Sequence, residues 1–209
     1  VMYQKNALVD YLSMGGFGDT TAEGMHTFAT EGASGSGDDN VGISIDSPAS
    51  GTTNLGDLTY SFPNASGEYS ELFMTLEYEK LGSGLTVYVY IGFFTSTLST
   101  LFSTTLTDDH AAFMTSDTSV FTSTADGVTQ NISSALAGIS AEEEHDYRIT
   151  LTSTEVKFYV DGTLVGTHTT NLPTGTITNG AIAEFRNNSG SSTRPELYIK
   201  RPAAILNVD

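Results

Sequence analysis

Hydrophobic and polar residues alternate most regularly between Asp146 and Thr170. Tyr147, Ile149 and Leu151 interleave with Arg148, Thr150 and Thr152, the period of a strand with one buried face. Val156, Phe158 and Val160 repeat the pattern against Lys157 and Tyr159, and the run ends at Asp161-Gly162. That dipeptide supplies the two positive-φ residues of a type I′ turn, so Leu164 and Val165 are predicted to lead a returning strand. Upstream, Leu72, Met74, Leu76 and Tyr78 share one face of a strand, and Leu85, Val87, Val89, Ile91 and Phe93 share one face of the next. Pairing these two as a hairpin around Lys80 to Ser83 sets Leu76 opposite Val87, Phe73 opposite Tyr90 and Thr75 opposite Tyr88. The other face of that hairpin, with Phe73, Tyr88, Tyr90 and Phe94, is more aromatic than solvation needs. It is expected to be a ligand-facing concavity or a subunit contact.

Shorter segments complete the pattern. Val41, Ile43 and Ile45 alternate, as do Leu58, Tyr60 and Phe62. Weaker strands are predicted at 98–106 and 111–114 around Thr107-Asp108-Asp109-His110, and at 119–124 and 128–132 around Ala125-Asp126-Gly127. Strands at 177–185 and 195–199 follow. So many short strands and so little helix indicate an antiparallel sandwich. Residues 1–37 read differently. Asn6 is placed to cap a short helix over Ala7 to Leu12, stopped by Gly15-Gly16. The flexible stretch Gly32 to Asn40 then marks a boundary. Tyr3, Leu8, Tyr11, Leu12 and Phe17 make this segment too apolar for a free tail, so it is expected to be an arm that packs on a neighbouring subunit or scaffold.

His145-Asp146-Tyr147-Arg148, Val156 to Gly162, Thr167-His168-Thr169-Thr170 and Pro173 together resemble the C-terminal half of concanavalin A-like domains. Glu196 to Arg201 falls where such domains place a closing strand. The resemblance is good from about His145 to Arg201, fainter from about Asp57 to Phe113, and absent before that. It implies an all-β fold, an antiparallel two-sheet jelly-roll sandwich over residues 38–209, with 1–37 as the N-terminal arm. The superfamily holds legume lectins, laminin-G modules and laminarinase-like hydrolases, so the resemblance speaks for fold and not for activity.

Composition narrows the functions. The 209 residues suit one sizeable domain. Cysteine is absent, which excludes disulfides and thiolate metal sites. No apolar run is long enough for a helix to cross a bilayer, and no basic-then-apolar segment opens the sequence, so membrane insertion is not expected. An export signal is expected to have been removed, or the protein to reach its destination by assembly. With 25 acidic against 8 basic residues the net charge is −17, which repels nucleic acid and anionic lipid. Arg186, Arg194, Lys200 and Arg201 lie near the C-terminus and could dock on an acidic neighbour.

Candidate chemistry is sparse. Glycoside hydrolysis needs two flanking carboxylates, about 5–5.5 Å apart in retaining enzymes. Glu77 and Glu79 share a strand face, but the laminarinase-like pattern Glu-x-Asp-x-Glu lacks its third carboxylate here, and the chain has no tryptophan. No catalytic residue is therefore expected, and the chain is read as a non-catalytic member. Calcium, which takes oxygen ligands, is a possible cofactor at Asp38, Asp39 and Asp46 or at Asp108 and Asp109, with Asn40 and Asp126 nearby, although none has EF-hand spacing. His26, His110, His145 and His168 are scattered, which suits packing better than ligation. Sequons at Asn64, Asn131 and Asn187 would accept glycans in an exporting host.

The expectation from these features is a non-enzymatic exterior module, a virion decoration, turret or fibre protein, located on a virion surface or outside the cell. Its partners would be further copies of itself and a scaffold or capsid protein, with a glycan as a candidate ligand. The alternative is a lectin-like carbohydrate-binding module with Phe73, Tyr88 and Tyr90 as stacking residues. The third reading is a polysaccharide hydrolase or lyase.

Overall fold

The computed structural model describes residues 8–9, 25–30, 41–46, 51–55, 58–61, 68–79, 87–94, 104–174, 176–180, 183–187 and 196–208, with side chains for 68–76, 88–94 and 104–174. These residues form two facing antiparallel sheets. The larger runs β13 (Thr163–His168), β12 (Val156–Val160), β11 (His145–Thr152), β6 (Tyr69–Glu79), β16 (Glu196–Val208), β3 (Val41–Asp46) and β2 (Met25–Thr30), and a short β1 (Leu8–Val9) also pairs with β16. The smaller runs β10 (Gln130–Ile132), β9 (Ser119–Ala125), β8 (His110–Ser116), β7 (Val87–Phe94), β15 (Ala183–Asn187) and β4 (Gly51–Leu55). A ribbon of β5 (Leu58–Ser61) and β14 (Thr176–Gly180) pairs with itself and with neither sheet. The fold is the antiparallel jelly-roll sandwich that the alternation and the resemblance imply.

The core lies between the two sheets. Leu72, Met74 and Leu76 of β6, Tyr147, Ile149 and Leu151 of β11, and Val156, Phe158 and Val160 of β12 point inward from the larger sheet. They meet Val89, Ile91 and Phe93 of β7, with Ala111 and Phe113 of β8. Each large side chain buried in this way contributes roughly 1.5–3 kcal/mol. Phe113 pins the layers together, with its ring edge-on to Tyr147 at 4.9 Å and to Phe158 at 5.2 Å. A polar pin joins the sheets near one edge. His168, on β13, is hydrogen-bonded at both ring nitrogens, at 3.0 Å each, to the hydroxyls of Thr122 and Thr124 on β9. Burial lowers its pKa, so the imidazole is held neutral.

Local turn chemistry behaves as expected. Asp161 (φ 50°) and Gly162 (φ 75°) both take the left-handed region that a type I′ turn between β12 and β13 demands. Gly127 (φ 83°) closes β9 on β10, where the Asp126 carboxylate accepts the N–H groups of Val128 at 3.1 Å and Thr129 at 2.8 Å. Those donors hold the Asp126 pKa below the usual carboxylate range.

Three expectations change. The hairpin of β6 on β7 is not formed: β6 pairs with β11 and β16, while β7 pairs with β8 and β15. Their apolar faces do coincide, but across the core and not side by side. Alternation specifies which face of a strand is buried and says nothing about which strand lies next to it. Residues Leu8 and Val9, placed in a helix by the sequence, are a strand opposite Ile205 and Ala204. The segment 1–37, expected to stand apart as an arm, supplies β1 and the edge strand β2, which pairs with β3. Pairing with an existing sheet satisfies backbone groups and so competes with local helix propensity.

Candidate functional site

Each sheet has an outer face turned away from the core, and the two faces are built differently. On the larger sheet, the residues alternating with the core positions are Tyr69, Glu71, Phe73 and Thr75 of β6, Asp146, Arg148, Thr150 and Thr152 of β11, and Lys157 and Tyr159 of β12. Arg148 is the register partner of both Phe73 and Tyr159. Its guanidinium lies over the Tyr159 ring, 3.9 Å from the centroid, and 3.6 Å from the Glu71 carboxylate. The cation occupies one face of the ring and fixes its orientation. Deeper on this face, the Thr75 hydroxyl donates to Asp146 at 2.6 Å.

Where β11 turns into β12 this face opens into a groove of about 470 Å³, lined by Glu68, Tyr69, Thr150, Thr152, Ser153, Thr154, Glu155, Lys157 and Tyr159. The turn is held from within. The Thr152 N–H donates to the Glu155 carbonyl at 2.9 Å, and the Thr152 hydroxyl accepts the Glu155 N–H at 3.1 Å. Lys157 is hydrogen-bonded to Glu155, which raises its pKa. The groove is therefore a preformed surface of hydroxyls and two half-buried tyrosines, with a neutralised ion pair at its side.

The outer face of the smaller sheet is covered. Tyr90, Phe94, Ala112 and Met114 are completely buried together with Leu106, and Tyr88 packs half-buried against them. The rings of Tyr88 and Tyr90 stack at 6.4 Å with planes 8° apart. Gln130 straps the 104–106 segment onto this face. Its amide donates to the Thr104 carbonyl at 2.7 Å and to the Ser123 hydroxyl at 2.9 Å, while its carbonyl accepts the Leu106 N–H at 3.1 Å. His110 sits beneath, fully buried. One ring nitrogen, Nδ1, is 2.6 Å from the Asp108 carbonyl and therefore carries the proton; Nε2 accepts from Ser123 at 2.8 Å. Burial pushes its pKa down to about 4, so His110 is neutral, with both nitrogens committed to structure.

The sequence candidates are thus scattered. Phe73 lies half-buried on the larger sheet, whereas Tyr88 and Tyr90 lie on the smaller one, so the three do not form one surface. Tyr90 is also wholly buried. Asp108 and Asp109 lie half-buried in the loop before β8. The Asp109 carboxylate accepts the Thr174 N–H at 3.3 Å, and burial, reinforced by Asp126 and Asp108, raises its pKa. Among the described residues no three His, Asp or Glu side chains converge on a metal position. Asp46 ends β3, and Leu8 lies in β1. Asp38, Asp39, Tyr3, Tyr11, Leu12 and Phe17 lie outside the described residues. Glu77 and Glu79 are in β6, opposite Tyr198 and Glu196. His145 bonds through Nδ1 to Asp161 at 2.7 Å, an edge role. The groove residues were not singled out in the sequence, although Arg148 and Tyr159 stand at outward positions of its clearest meander.

No family model matches the sequence, and no curated protein matches it. Solved structures share its fold. An endo-β-1,4-glucuronan lyase from the fungus Trichoderma reesei superposes with a TM-score of 0.53 at 11% identity, covering 92% of each chain. The carbohydrate recognition domain of Emp46p, in its potassium-bound form, gives 0.52 at 10% identity over 79% of this chain and 78% of that one. The alginate lyase AlyC3 gives 0.50 at 7% identity over 79% and 74%. The likeness is one of fold: an antiparallel jelly-roll sandwich. It corrects the expectation of a virion decoration, turret or fibre module. The fold neighbours named here are two polysaccharide lyases and a carbohydrate recognition domain, and none is a virion protein. That expectation rests on the missing catalytic pattern, cysteines and signal and on the unlike N-terminal segment, none of which says what a surface binds. Two of those neighbours are lyases and one is a carbohydrate recognition domain, so the fold gives no ground for expecting a non-enzyme.

Proposed function

We propose that this protein binds carbohydrate, through the groove on the outer face of its larger sheet. The observation that carries the reading is the convergence of Tyr69 and Tyr159 with the hydroxyls of Thr150, Ser153 and Thr154 in one preformed depression. Tyrosine rings pack on the C–H faces of sugars, and hydroxyls exchange hydrogen bonds with sugar hydroxyls at little reorganisation cost. A volume of about 470 Å³ falls in the range of small-molecule sites. The fold neighbours act on or recognise carbohydrate, which supports the same reading. A glycan array with the wild type, Tyr159→Ala and Tyr88→Ala tests it. Binding that survives Tyr88→Ala and fails in Tyr159→Ala is expected; wild type that retains no glycan would refute it. Release of unsaturated oligosaccharides from glucuronan or alginate would instead make the protein a lyase.

A further inference from the structure

Resting on the glycan-binding reading, we infer that the groove takes a neutral glycan chain and discriminates against polyuronates. A uronate carboxylate is held most strongly where a cation is left over to meet it. Among the described residues Lys157 is the one cation lining the groove, and its ammonium is already hydrogen-bonded to Glu155. Arg148, the next cation on this face, lies over the Tyr159 ring and beside Glu71. Both of these cations therefore already lie beside a carboxylate, within a chain of net charge −17. A polyuronate brings one carboxylate per sugar, so each residue seated there would meet like charge near the floor and a repulsive field on approach. A neutral sugar meets none of this. Its hydroxyls find the Thr150, Ser153 and Thr154 hydroxyls and the Glu155 carboxylate as partners, and its apolar face finds the tyrosines.

The test is calorimetric titration of the intact protein with neutral gluco- and manno-oligosaccharides and with oligoalginate, each at about 20 mM and about 500 mM salt, where screening differs strongly. The expected result is binding of a neutral series whose affinity moves less than about twofold with salt, and oligoalginate at least about tenfold weaker at low salt. Tyr159→Ala should weaken the neutral ligand about tenfold or more. Thr154 is exposed, so Thr154→Trp, which crowds the groove without touching the core, should do the same in a protein that melts like wild type. Preference for oligoalginate, weakening with salt and lost in both variants, would overturn the neutral-glycan inference and leave glycan binding standing. Neutral binding unaffected by either variant would remove the groove as the site. No binding in either series overturns both readings.

Discussion

The two outer faces of this sandwich carry similar chemistry and put it to opposite use. The smaller sheet holds the denser aromatic set, yet Tyr90 and Phe94 are wholly buried with Leu106 and Met114, under a segment strapped down by Gln130. Among the described side chains the larger sheet offers fewer rings, but Tyr69 and Tyr159 stay half-buried beside a groove. Aromatic content along a strand therefore does not identify a binding surface. What lies across the face decides, and that depends on segments distant in sequence. His110 shows the same effect: a titratable side chain on an outward position becomes part of a second small core.

The contrast can be broken most severely at Gly92, on the covered face. A Cβ there would lie 2.2 Å from the Ala111 carbonyl oxygen and 2.6 Å from the Ala112 Cα, both unable to yield. Gly92→Val is expected to cost about 3 kcal/mol or more, or to prevent folding, read as a fall in Tm or loss of soluble protein. A normal Tm would mean that β7 and β8 do not approach this closely.

Next in size is a pH effect seated on the same face. His110 has its pKa lowered from 6.5 to about 4, and that of His168 is lowered too. The unfolded chain then binds more protons than the folded one between those values, so stability is full above about pH 6.5 and falls as the pH drops toward about 4. The loss through His110 reaches about 3 kcal/mol. Denaturant titrations across this window should show the slope, and His110→Gln should flatten most of it. An unchanged slope would place the effect elsewhere.

On the open face, Tyr159→Ala should weaken glycan binding by about 1.4 kcal/mol, or tenfold, with Tm nearly unchanged. Tyr88→Ala should do the reverse, lowering Tm and leaving binding intact. Exchange of these outcomes would invert the comparison of the two faces.

The smallest effect belongs to the core between them. The buried Tyr147 hydroxyl has no hydrogen-bond partner among the described residues, and burial raises its pKa far above 10. Tyr147→Phe should therefore be neutral or stabilising by up to about 1 kcal/mol in chemical denaturation, because no bond is lost and an unpaired polar group is removed. A clear loss of stability would reveal a partner for that oxygen.

Much of the architecture was legible in the residues because its causes are local. The period of two in Tyr147, Ile149 and Leu151 and in Val156, Phe158 and Val160 follows from strand geometry, and Asp161-Gly162 specifies a turn by φ preference alone. These set the β11–β13 meander and, through it, the resemblance to the superfamily. The Arg148–Tyr159 contact was within reach as well, since a hairpin register makes the two neighbours. Other features depend on which strands lie side by side and which segments fold over them. Only the tertiary structure separated β6 from β7, and with them Phe73 from Tyr90; only it brought Glu68 and Tyr69 to the groove and laid Leu106 over Tyr90. Alternation marks the face each side chain takes, but the neighbours it meets are chosen by the packing free energy of the whole chain, to which no single segment holds the key.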